Sequence, residues 1–347
     1  MMNSDHDFFD DDADGGSDGN RRPNKPGRKP RKPKSSQDER DVSSIYDSEM
    51  LEEMITNCIE DANYDRALEA SEHLTRIAPY SADSWFKRGM VLNNIGSYDD
   101  AVESYQKAIA LNPSDFEATM NLGLTLDNMG RYPDALDAFD RAISLYPTDD
   151  EVHFNKAITL EKLERHIDAE TELEECLRLN PQHREAWYEL GYCKDMLGKL
   201  AQSLDCYDKH LEIDPYSSNT WYNRGIILNK LKRYNESVQS YDMAVAIREN
   251  FSSAWYNRGN VLANIGNLKE AIESYHRTLE HEPDDVASLF NIASAYEELR
   301  DYKQSIQHLE KCLELDPNYA DAWYALACCF DMKEQHLAAY NAVVKAI

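Results

Sequence analysis

Trp221-Tyr222-Asn223-Arg224-Gly225 returns thirty-four residues later, unchanged, as Trp255-Tyr256-Asn257-Arg258-Gly259. The same step leads back to Trp187 and, taken twice, forward to Trp323. Prolines keep the same ruler at Pro79, Pro113, Pro147, Pro181, Pro215, Pro283 and Pro317, with Glu249 at the one break. A period held over this length means stacked copies of one supersecondary unit, each burying its apolar face on its neighbours.

Counting each unit from three residues before the Trp-type position gives starts at 48, 82, 116, 150, 184, 218, 252, 286 and 320. Position 4 is Trp85, Trp187, Trp221, Trp255 and Trp323 in five units and Leu51, Thr119, His153 and Leu289 in the rest. Position 8 is small in eight units, from Gly89 to Ala327; the exception is Ile55 in the first, which reads as a capping unit. Position 20 is always Ala or Ser, and position 24 is mostly aromatic (Tyr105, Phe139, Tyr207, Tyr241, Tyr275). Positions 4, 8 and 11 share one helix face, and so do 20, 24 and 27, so each unit predicts two amphipathic helices. Small residues at 8 and 20 let the two backbones approach. Gly96, Gly130, Gly198 and Gly266 at position 15 fit a left-handed helix end. Proline at position 32 ends the second helix, and Asp115, Asp149 or Ser217 can cap the next one.

These series resemble the tetratricopeptide repeat family, over about residues 48–347. The resemblance implies an all-α solenoid, a right-handed superhelix of helix–turn–helix repeats, with a concave groove lined by each unit's first helix. It also implies binding of peptides or protein segments in that groove, without catalysis. One departure stands out. The last unit ends inside its second helix, where the family adds a polar helix, so Ala342, Val343, Val344 and Ile347 are expected to leave an apolar face open. That suggests a piece of a longer protein, or an end that docks on a partner or on a second copy.

The chain has 347 residues and a net charge of −27, which argues against nucleic acid or an anionic membrane as a ligand of the whole surface. Acidity favours a basic partner segment. No apolar run approaches the ~20 residues of a membrane span. The seven cysteines form no CxxC pair and suit no closed disulfide framework, so packed thiols in a cytoplasmic setting are expected. Residues 1–44 form a separate arm. Its first part is acidic (Asp5 to Asp18), and 21–34 carries eight basic residues spaced by prolines. Neither block has the apolar surface to fold, so the arm is expected to be disordered, with order from 45 to 347. The basic run reads as a linker that lies on the acidic solenoid, as a nuclear-localisation-type signal, or as a faint AT-hook without its usual core.

Position 6 is Asn121, Asn155, Asn223, Asn257 and Asn291 in five units, with Lys87, Glu189 and Ala325 in three others. Asparagine is a mediocre helix former, so propensity does not explain the series. A row of amides, each with donors and an acceptor, can pair with the main chain of an extended peptide whatever its sequence. A similar asparagine ladder lines the superhelix of the protein O-GlcNAc transferases, and the amides can alternatively bond neighbouring helices. Position 5 is aromatic or Met in eight units, including Tyr188, Tyr222, Tyr256 and Phe290. It is either an apolar wall for ligand side chains or core between first helices. Asn94, Asn128, Asn260 and Asn264 add further groove amides. Lys87 with Asn94 and Asn128 matches a carboxylate clamp only faintly. No P-loop, GxGxxG or HExxH occurs and the ten histidines are scattered, so no catalytic residue, metal or cofactor is expected. The function expected is a protein–protein interaction scaffold. The alternatives are a regulatory or recruiting region of a larger enzyme, such as a glycosyltransferase, and a nucleic-acid-associated adaptor acting through 21–34.

Overall fold

The computed structural model describes Val42, Ile45 and residues 47–346. The expectations for the arm and for Ile347 otherwise lie outside the described residues. The described residues fold into eighteen helices in nine pairs, with no strand among them. The pairs are α1 (Ser48–Glu60) with α2 (Tyr64–Ile77), α3 (Ala82–Asn94) with α4 (Tyr98–Leu111), and α5 (Phe116–Asn128) with α6 (Tyr132–Leu145). Next come α7 (Asp150–Lys162) with α8 (His166–Leu179), α9 (Arg184–Met196) with α10 (Leu200–Ile213), and α11 (Ser218–Lys230) with α12 (Tyr234–Ile247). The last three are α13 (Ser252–Asn264) with α14 (Leu268–His281), α15 (Val286–Glu298) with α16 (Tyr302–Leu315), and α17 (Ala320–Met332) with α18 (His336–Ala346). No helix of the described residues is long and apolar enough to cross a membrane.

Each first helix ends the same way. The residue at position 15 has positive φ in all nine units: four are the glycines, and the others are Ala62, Glu164, Lys232, Arg300 and Glu334. In the second unit the Gly96 N–H bonds the Asn93 carbonyl and the Ser97 N–H reaches back to Leu92, which satisfies carbonyls the helix would orphan. Each second helix except α18 ends on a residue with φ near −130°, such as Asn112 at −131° before Pro113. Proline enforces that extended geometry on the residue before it. Arg248, which precedes Glu249 rather than a proline, takes φ −127° all the same, so packing holds the bend where proline is missing. The five tryptophans explain why. Each indole N–H donates to the carbonyl six residues earlier, Pro79, Pro181, Pro215, Glu249 and Pro317, at 2.8–3.0 Å. Asp115, Asp149 and Ser217 do accept the capping N–H bonds expected of them.

Within a unit, position 8 lies against the ring at position 24. A Cβ added to Gly225 would stand 2.6 Å from a Tyr241 ring carbon, and Gly89, Gly123, Gly191 and Gly259 face their rings in the same way. The two positions trade volume. Where position 24 is Leu173 or Leu309, position 8 is Ala157 or Ala293, and in the first unit Ile55 faces the sequence position of Ser71. Ser203 and Ser237 use the close approach to donate to the Gly191 and Gly225 carbonyls at 2.7 Å.

At the N-terminal end Val42, only 2% exposed, joins the core of Leu51, Ile55 and Leu74, so packing begins slightly before residue 45. At the other end one expectation is corrected. Ala342 packs inward with Leu326 and Ala327, because position 23 faces the helix pair, while Leu337, Tyr340, Val343 and Val344 are exposed. All seven cysteines are free thiols, six of them buried.

Candidate functional site

First helices of consecutive units touch one another, as α3 does α5 and α5 does α7, whereas consecutive second helices do not approach as closely. The first helices therefore form the tighter, inner face of the stack. Positions 5, 6, 9, 12 and 13 of those helices project together along it.

The five position-6 amides are all half-buried, but they are not equivalent. Asn223 donates to the Tyr188 hydroxyl of the preceding unit at 3.0 Å, Asn257 to Tyr222 at 2.9 Å, and Asn291 to Tyr256 at 3.2 Å. Asn121 and Asn155 instead fold back on their own helix, donating to the carbonyls of Glu117 and Glu151 at 2.8 and 2.7 Å. The reason lies one unit earlier. Position 5 there is Phe86 or Met120, neither of which has a hydroxyl to accept a bond. The amides are thus partly engaged inside the solenoid. Each amide but Asn291 uses one of its two N–H groups in these bonds, leaving an N–H and the side-chain oxygen for other partners; Asn291 also donates to Asn260 and keeps its oxygen.

Tyr188, Tyr222 and Tyr256 are half-buried, with their rings against Tyr207, Tyr241 and Tyr275, while Phe290 packs on Tyr319. These rings are core on one side and groove on the other. Burial pushes the Tyr188 hydroxyl up to about 12, so it stays a neutral hydrogen-bonding group. Asn260 accepts from Tyr275 at 2.9 Å and from Asn291 at 3.2 Å, extending the polar chain. Asn94, Asn128 and Asn264 are exposed. Asn94 donates to the Met90 carbonyl of its own helix.

Position 12 carries a second series of contacts between units. Asn93 accepts from Thr125 at 3.1 Å, Asp127 from Thr159 at 2.9 Å, and Glu161 from the Cys193 thiol at 2.9 Å, each donor sitting at position 10 of the next unit. Lysines of the next unit also neutralise acids at position 12, Lys162 on Asp127 and Lys230 on Asp195. The polar pattern at 10 and 12 was the available signal.

Some carboxylates under partial or full burial find cations: Glu172 meets Lys156 at 2.7 Å, and Glu170 meets Lys194 at 2.8 Å. Glu161 and Glu189 do not. Among the described residues neither has a lysine or arginine within ion-pair distance, although both face the middle of the inner surface. Burial pushes Glu161 up to about 7. Burial, with the Glu161 charge added, pushes Glu189 up to about 8. Two carboxyls that retain protons near neutrality are an environment short of positive charge.

Models of the tetratricopeptide repeat match residues 86–150, 154–218, 218–251, 252–285, 286–319 and 308–340. A comparison with curated proteins returns no match. Among solved structures, the crystal structure of YrrB, described as a TPR protein with an unusual peptide-binding site, is 23% identical, with a TM-score of 0.51 over 55% of this chain and 98% of that one. A tetratricopeptide repeat protein from Parabacteroides merdae is 17% identical, with a TM-score of 0.51 over 72% of this chain and 98% of that one. MamA is 22% identical, at a TM-score of 0.45 over 46% and 94%. At these identities the likeness to YrrB and to the Parabacteroides merdae protein is one of fold.

Proposed function

We propose that this chain, which belongs to the tetratricopeptide repeat family, is an interaction scaffold that holds an extended segment of a partner protein along its inner face. The observation that carries the reading is the Tyr188–Asn223, Tyr222–Asn257 and Tyr256–Asn291 series, three half-buried polar pairs one unit apart. Each pair is held in one orientation by its internal bond and keeps further hydrogen-bonding capacity. An extended main chain offers alternating donors and acceptors, which such a series can meet without reading side chains. A pre-oriented amide loses little freedom on binding. The peptide-binding site named for YrrB is a precedent for the fold, not for these residues.

Charge sets the kind of segment. The net charge of −27 and the unpaired Glu161 and Glu189 favour a basic segment, with an Arg or Lys side chain at the middle of the groove. Selection from a displayed random peptide library against residues 42–347 tests this. The expected result is enrichment of extended, basic peptides whose affinity falls at least tenfold for a folded Asn223→Ala, Asn257→Ala, Asn291→Ala triple variant. No enrichment, or binders indifferent to the triple substitution, contradicts it.

A further inference from the structure

Three possible metal ligands from consecutive elements meet where the fourth unit joins the fifth. Asp150 opens α7, Cys176 lies in the last turn of α8, and His183 caps the start of α9. A ligand atom from each lies within 4.8 Å of the other two. Cys176 is fully buried, His183 is 7% exposed, and Asp150 is half-buried at the opening. The His183 Nδ1 accepts the Ala186 N–H at 3.2 Å, while its Nε2 is buried and has no hydrogen-bond partner. The Glu151 carboxylate is 3.7 Å from that nitrogen, too far for a hydrogen bond. Asn180 donates to Asp150 at 2.7 Å, which fixes the carboxylate and leaves its other oxygen available.

The repeat does not require this set. The places of Cys176 and His183 are filled in the second unit by Ala108 and Asp115, and in the sixth by Ala244 and Phe251. A buried ring nitrogen without a partner is unfavourable unless something else satisfies it.

We propose that Asp150, Cys176 and His183 bind a divalent transition-metal ion, zinc being the best fit, with Glu151 placed to supply a fourth donor, and that the ion staples the fourth unit to the fifth. One thiolate, one imidazole and carboxylate oxygen form a zinc-type donor set, whereas sulfur disfavours calcium and magnesium. Zinc bonds are about 2.0–2.3 Å long, so the donors must close in from their present spacing by side-chain rotation. As the sulfur–metal bond forms, the Cys176 thiol releases its proton to solvent. The ring binds through Nε2 with its proton moved to Nδ1, which gives up the Ala186 cap bond. Burial, with the Asp150, Glu151 and Asp149 charges added, pushes the free thiol up to about 12, so the metal must displace a firmly held proton.

The test uses the full chain, stripped with a chelator and titrated with cobalt(II) as an optical probe for zinc. One equivalent should give a thiolate-to-cobalt charge-transfer band that zinc then displaces, and zinc should raise the melting temperature. Cys176→Ser should abolish the band. Since Asn is itself a helix-capping residue, His183→Asn keeps the cap and removes the imidazole, and it should weaken metal affinity at least tenfold in a protein of unchanged helicity. The proposal is overturned if the wild-type chain shows no band and no thermal shift, or if the band survives Cys176→Ser. Equal zinc affinity in His183→Asn overturns it as well.

Discussion

Gly225 and Tyr241 show how much of this fold is decided by pairs of single residues. A Cβ at 225 would overlap the Tyr241 ring at 2.6 Å, so Gly225→Ala is expected to destabilise the chain by about 1–3 kcal/mol, as overpacking does. Adding Tyr241→Leu should restore most of that loss, since it recreates the Ala157–Leu173 and Ala293–Leu309 arrangements that the chain already uses. Chemical denaturation of the two variants measures it; a double variant no better than the single one contradicts the volume trade. Glu189 gives a residue-scale pH effect. Its folded pKa stands above its unfolded value, so the folded state holds a proton that the unfolded state releases. That contribution is fully present below about pH 4.5 and is lost as pH rises through about 8. Glu189→Gln should therefore flatten the fall in stability between those limits and raise the melting temperature at pH 8.5. One pKa unit corresponds to about 1.4 kcal/mol, so the difference is measurable. An unchanged pH profile contradicts it. The volume trade at positions 8 and 24 was legible in the sequence, because both residues lie in one unit and repeat. The roles of the asparagines were not. Whether an amide reaches across or folds back depends on a hydroxyl thirty-five residues earlier, as Asn223 with Tyr188 against Asn155 with Met120 shows.

At the scale of elements, the turn between paired helices is the same whether or not glycine occupies it. Lys232 and Arg300 take φ +60° where Gly96 and Gly266 take +79° and +77°. Side chains with a Cβ are strained there, so Lys232→Gly and Arg300→Gly should each stabilise the chain by up to about 1 kcal/mol. Thermal melts showing a loss instead would mean that the lysine or arginine stem contributes more by packing than its backbone conformation costs. A second element-scale feature escaped sequence reading. Position 11 is leucine in α3, α5, α7, α11 and α13 but Lys194 in α9, and position 21 is apolar elsewhere but Glu170 in α8. Each alone looks like a break in an apolar series; together they form a buried pair at 2.8 Å, joined by Lys199. The simultaneous break was the signal. Lys194→Leu alone leaves Glu170 with Lys199 as its remaining cation and should cost about 1–3 kcal/mol, while Lys194→Leu with Glu170→Leu should return near to wild type. A double-mutant cycle by denaturation checks this, and additive losses would contradict it.

Over the whole molecule, the nine helix pairs bury their core between neighbours only, so stability and binding surface both grow unit by unit. The period of thirty-four residues made the architecture legible, and the family matches across residues 86–340 agree with it. The direction of the inner face followed from which helices touch across units, which no single unit's sequence states. Function at this scale rests on polar pairs set at equal intervals along one surface. The most direct measurement is the nitrogen-15 spectrum of the side-chain amides of Asn223, Asn257 and Asn291 during titration with a library-selected peptide. The account predicts that these three resonances shift together and saturate with the binding curve, while those of the exposed Asn112 and Asn318, in the turns that follow α4 and α16, stay in place. Tight binding that leaves all three unmoved would contradict it.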